Sequence, residues 1–175
     1  ALAANGDAEA QKKPAPKSGL VAEVLELKGL RLGGSKDEAR NTLGHLSCRD
    51  ASGQVPGVDQ ICTHESKHPD VSGSTLANKP VDAWTFQVKD GLILRISVRM
   101  NAGSAMAVAE ALREKYGPPT DLRTEPVTNA FGAMAERLQA AWATSTQILM
   151  VQANVARFGD GMVALTPLEA PPPRK

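Results

Sequence analysis

The stretch Trp84-Thr-Phe-Gln-Val-Lys-Asp-Gly-Leu-Ile-Leu-Arg-Ile-Ser-Val-Arg-Met100 constrains the fold most. Trp84, Phe86 and Val88, then Leu92, Leu94, Ile96, Val98 and Met100, all fall at even positions, and a period of two puts alternate side chains on one face of a strand. Two such strands around Lys89-Asp90-Gly91 read as a hairpin with one oily and one polar face. Opposed residues of an antiparallel pair share a face, so the apolar sets meet only when paired numbers sum to an even total. A two-residue Asp90-Gly91 turn would pair Phe86 with Arg95. A three-residue Lys89-Asp90-Gly91 loop pairs Val88 with Leu92 and Phe86 with Leu94, and it sets Gly91 at the left-handed position such loops favour. The expectation is the three-residue loop, with Leu94 in the core and Ile93, Arg95, Ser97 and Arg99 on the other face.

Two helices have legible ends. Ser35 caps the first, Glu38 completes a capping box three residues on, and Gly44 ends it. Asn101 or Ser104 opens the second, whose Ala105, Val108, Ala109, Leu112 and Tyr116 form one apolar stripe before Gly117-Pro118-Pro119 stops it. Upstream, Val24 to Leu32 reads as a strand that changes face near Gly29, and His45 to Val81 as a long irregular loop with at most a short strand near Leu46 to Arg49. Residues 147–155 and 161–166 read as strands joined through Phe158-Gly-Asp-Gly161. Phe131 to Trp142 has helical propensity and strand parity; it is assigned to strand because Trp142 leads into a strand run. Trp84 and Trp142 are expected in the core. The fold class expected is α+β: an antiparallel sheet of about four to six strands packed by two helices, with a long disulfide-stapled loop.

Residues 1–18 show no hydrophobic periodicity and read as a flexible leader, residues 19–168 as a single α+β domain, and residues 169–175 as a Pro-rich tail. Residues 19–168 hold 15 Lys or Arg against 16 Asp or Glu, a near-neutral balance that argues against a nucleic-acid surface. No apolar run reaches the roughly 20 residues of a membrane span. Ala1-Leu2-Ala3 has the small-x-small pattern of a signal-peptidase site, read as the stub of a removed export signal. Cys48 and Cys62 are then expected to form one disulfide in an oxidising compartment, periplasmic or secreted.

Reaction chemistry is sparsely represented. Cys48, Cys62, His64 and His68 supply four formal zinc ligands, but the cysteine spacing is wrong for a knuckle and a disulfide would consume both thiolates. Ser66 or Ser72 with His68 and Asp70 lacks a nucleophile elbow, and Gly33-Gly34-Ser35 lacks the ending of a phosphate loop. No catalytic residue, metal or cofactor is expected. The binding candidates are Ile93, Arg95 and Arg99 on the polar face of the hairpin, and His64 and His68 in the loop.

The order strand, Gly-Gly-Ser-capped helix, cysteine loop, Trp/Phe hairpin and helix ending Lys-Tyr-Gly-Pro-Pro, followed by Trp142 and two strands, resembles the fold shared by the β-lactamase inhibitor protein and the outer-membrane assembly lipoprotein BamE. Gly29-Leu-Arg-Leu-Gly-Gly-Ser-Lys-Asp-Glu38 and Lys115-Tyr-Gly-Pro118 carry the motif-level likeness. The resemblance implies a non-enzymatic protein whose sheet face or loop grips a partner protein: an inhibitor, an immunity factor or an envelope-assembly accessory. The rivals are a metal-binding loop protein and, last, an envelope hydrolase. The chain departs from the tandem inhibitors in showing one apparent repeat, and from the lipoproteins in lacking a lipid-box cysteine at its start. No family binding residue maps onto it.

Overall fold

The computed structural model describes residues 24–66, 75–128, 130–155 and 159–168. Helix α1 (Lys36–Leu43) forms where its ends dictate: the Ser35 hydroxyl accepts the Glu38 amide, and Gly44 closes it at φ 89°. Helix α2 (Ala102–Tyr116) begins at Asn101, whose Oδ1 accepts the Ser104 amide at 2.7 Å, and ends at Gly117.

Around them lie β1 (Ser47–Asp50), β2 (Gln60–Glu65), β3 (Thr75–Leu76), β4 (Lys79–Pro80), β5 (Ala83–Lys89), β6 (Leu92–Asn101), β7 (Asp121–Thr128), β8 (Met134–Ala143), β9 (Gln147–Val155) and β10 (Asp160–Pro167). This overturns the expected α+β layout. The described residues are mostly β: one eight-stranded antiparallel sheet in the order β1-β2-β5-β6-β10-β9-β8-β7, a two-stranded β3-β4 sheet, and only two helices. Two strands escape an aliphatic reading. The core-facing positions of β2 are Cys62 and His64, both fully buried, so it looks polar in sequence. β7 is an edge strand whose residues are mostly exposed, so it needs little apolar character. Helix, then four strands of the large sheet, occurs twice, and β6 and β10 join the two sets antiparallel at the centre. A single apparent repeat is therefore two successive units sharing one sheet.

Three further expectations change. Val24 to Leu32 is not a strand: Lys28 (φ 53°) and Gly29 (φ 76°) make a tight turn, and Leu27 and Leu30 exchange hydrogen bonds across it. The supposed loop contains β1 to β4. The hairpin keeps its parity by another device. Lys89 pairs with Leu92 across a two-residue Asp90-Gly91 turn with φ 51° and 76°, the signature of the type I′ family. A bulge then admits one extra residue, so Val88 faces Ile93 while Phe86 faces Ile96. Ile93 is held there by its amide to the Gly34 carbonyl and its carbonyl to the Gly33 amide, both at 2.8 Å. Ile93 is thus 1% exposed in the core, while Leu92 and Leu94 turn away from it.

The core lies on one side of the sheet. Trp84, Phe86, Ile96, Val98, Leu149, Val151, Val163, Leu165 and Trp142 meet Leu43 of α1 and Val108 and Leu112 of α2 in one cluster with Leu25, Leu27 and Leu30. The approach of α2 is close: a Cβ at Gly161 would lie 2.5 Å from the Ala105 Cβ and 2.9 Å from the Asn101 carbonyl. Both tryptophans are buried, and 131–142 resolves as strand from Met134 onward.

Candidate interaction surface

Both helices pack on the same face, so among the described residues no helix covers the other face of the eight-stranded sheet. Register places its side chains in rows across the strands. One row runs Ser47, Thr63, Thr85, Ser97, Ala164, Met150, Ala141. The next runs Glu65, Ala83, Arg99, Met162, Gln152, Gln139. Arg95, opposite Gln87, lies one step to the other side of the first row. The β1-to-β6 half is mainly hydroxyl, amide and charged side chains, with Ile61 and Ala83 among them; the β10-to-β8 half supplies Met150, Met162 and Ile148 beside Gln139 and Gln152. Arg99 and Met162 are directly paired at the centre, where the two units join, and both are exposed.

The five predicted binding residues separate. Arg95 and Arg99 share the open face, as their odd positions on β6 imply. Ile93 does not join them, because the bulge moves it into the core. His64 does not join them either: it is fully buried on the helix side, opposite Trp84 in register, with Nδ1 donating to the His45 carbonyl at 2.7 Å. Its Nε2 meets no hydrogen-bonding partner among the described residues, and its place is that of a core side chain. His68, Asp70 and Ser72 lie outside the described residues. The residues that sequence parity missed, Met150 and Met162, sit on strands whose faces depend on the β6–β10 pairing.

Cys48 and Cys62 form the expected disulfide, directly opposed across β1 and β2. Among the described residues no group of three or more His, Cys, Asp or Glu could hold a metal ion, and no helix is long and apolar enough to cross a membrane. A cavity of about 410 Å³ lies between α2, the Glu26–Lys28 turn and the β3-β4 hairpin. Its charged groups are engaged within the fold: the Lys115 ammonium reaches Glu26 Oε1 at 2.8 Å, and the Lys28 ammonium donates to the Thr75 carbonyl at 3.0 Å. The Glu26 hydrogen bond holds Lys115 above the usual lysine range, while burial pulls Lys28 below it. Neither this cavity nor the groove on the other flank of α2 contains a histidine. Comparison with family models, curated proteins and solved structures returned no match, so the functional reading rests on the geometry of the sheet.

Proposed function

We propose that this chain is an exported, non-enzymatic protein-binding module of the periplasm or cell exterior, and that it grips a partner protein with the open face of its sheet. The observation that carries the reading is the centre of that face, where Arg99 pairs with Met162 and Met150 and Arg95 follow in the next rows, with no helix over these strands among the described residues. Arginine and methionine are enriched at protein interfaces, arginine as a desolvated anchor and methionine as an adaptable apolar contact. A rigid sheet holds such groups at low entropic cost to binding. The Cys48–Cys62 disulfide supports export, since such bonds persist mainly in oxidising compartments. The two successive helix-and-sheet units support the layout resemblance to the tandem inhibitors more than a single unit would.

The test is partner capture from the native envelope by the wild-type chain and by the Arg95→Ala/Arg99→Ala variant. Capture of the same partner should weaken by about 1 kcal/mol or more in the variant. Thermal melting should change by no more than about 0.5 kcal/mol per site for side chains on an open face. Unaltered capture with unaltered melting would move the interface off this face.

A further inference from the structure

The arginines of the open face are not alike. Arg49 donates to Gln54 at 3.1 Å, Arg137 donates to Asn154 at 3.2 Å, Arg123 meets Asp121 at 2.8 Å, and Arg95 has a partner as well. Arg99 differs from all of them. It is exposed at the centre of the face, and among the described residues its guanidinium has no hydrogen-bond or ion-pair partner.

Its surroundings account for this. Directly across the sheet stand Ala83 on β5 and Met162 on β10, and on the same face of β6 its neighbours are Ser97 and Asn101. None of these carries a negative charge. Two acids lie near in the rows, but Asp160, diagonal to Arg99, accepts a 2.6 Å hydrogen bond from the Asn154 amide, and Glu65 is two strands away beyond Ala83.

The fold thus leaves this guanidinium fork to water, and a carboxylate can replace that water with two parallel charge-assisted hydrogen bonds. Met162 beside it is 39% exposed, an adaptable apolar contact that excludes solvent from such a pair and so strengthens it. A phosphate polyanion needs several cations close together, whereas Arg95, the next arginine along β6, is four residues away, roughly 13 Å at the rise of a strand. We infer that the partner protein presents to this face an Asp or Glu next to an apolar side chain, the carboxylate closing on Arg99 and the apolar group on Met162. The inference rests on the open-face reading above and names the chemistry of what that face takes.

A displayed library of random linear peptides, selected on the immobilised full chain, tests it. Binders that use the face are those weakened by Thr85→Trp, which adds bulk diagonal to Arg99 in a residue type that strands accept. Thermal melting like that of wild type shows that this variant and Arg99→Ala are folded. The face-directed binders should carry an Asp or Glu beside an aliphatic or aromatic residue. Replacing that acid by its amide should weaken binding to the wild-type chain on the order of tenfold and leave binding to Arg99→Ala unchanged, the signature of direct coupling. Face-directed binders without an acid, or whose acid can be amidated at no cost, overturn the inference and leave the open-face reading standing. A library that yields no binder, or only binders indifferent to both Thr85→Trp and Arg99→Ala, overturns both. A single-stranded oligonucleotide bound with the same dependence on Arg99 would set a polyanion on the face in place of a protein and overturn the inference as well.

Discussion

The indole Nε1 of Trp142 donates a 2.9 Å hydrogen bond to the carbonyl of Gly117. Gly117 is the residue at which α2 ends, so a side chain on β8 satisfies a carbonyl at the helix terminus. Trp142 is also almost fully buried, and it joins the end of the crossover helix to the second half of the sheet. Trp142→Phe retains an aromatic ring but loses both the donor and some volume. The expected loss is about 1 to 3 kcal/mol in denaturant-induced unfolding. An unchanged midpoint would mean that water satisfies the carbonyl equally well.

The bulge in β6 makes two adjacent aliphatic residues unequal. Ile93 is in the core, whereas Leu94 is only partly buried beside the bulge. Ile93→Ala should therefore cost about 2 to 5 kcal/mol, the range for emptying a buried aliphatic site. Leu94→Ala should cost less, because a partly buried side chain forfeits less buried area. Urea unfolding of the two variants side by side decides it, and the reverse order would restore the three-residue loop.

Removal of the disulfide acts chiefly on the unfolded chain. Its partners are 14 residues apart, and closing such a loop stabilises by about 3 kcal/mol in the chain-entropy description. The Cys48→Ser/Cys62→Ser variant should show a lowered urea midpoint of corresponding size. Thiol labelling of the unfolded, unreduced wild-type chain should find no reactive group.

The Lys115–Glu26 pair fastens the segment before Leu27 to α2, beside the 3.0 Å hydrogen bond from the Glu26 amide to the Tyr116 hydroxyl. Lys115 is about half exposed, so solvent screening limits the pair to less than about 1 kcal/mol. Its ammonium is favoured in the folded state, chiefly by the hydrogen bond to Glu26. The contribution is therefore fully present below the unfolded lysine value near 10.5 and fades as pH rises through the higher folded value. Lys115→Ala should thus be slightly less stable than wild type at neutral pH, with the difference shrinking in strongly alkaline buffer. A difference that persists there would assign the effect to packing of the lysine stem.

What could be read in the sequence follows how local each determinant is. Ser35 with Gly44 and Asn101 with Gly117 are decided within a turn or two of their own helix, so both helices form where the residues say. Hairpin parity was legible for Arg95 and Arg99, which do share the open face. Its register was not, because the bulge is held by Gly33 and Gly34, nearly 60 residues upstream of Ile93. β2 escaped notice because a cysteine and a histidine serve as its core residues. The open-face positions of Met150 and Met162 follow from β10 pairing with β6, a contact that no local pattern announces.

That central pairing also governs when the open face comes into being. Asn101 and Asp160 meet across it, as do Ile96 and Leu165, although each pair is separated by some 60 to 70 residues of chain. Most other neighbours in the sheet are consecutive strands that short connections bring together early, whereas distant pairings close late because loop entropy must be overcome first. Until the seam closes, the nascent chain carries two interior strands as raw edges, and the Arg99–Met162 pair does not yet exist. An incompletely folded chain therefore lacks the assembled open face and presents raw strand edges to quality control instead.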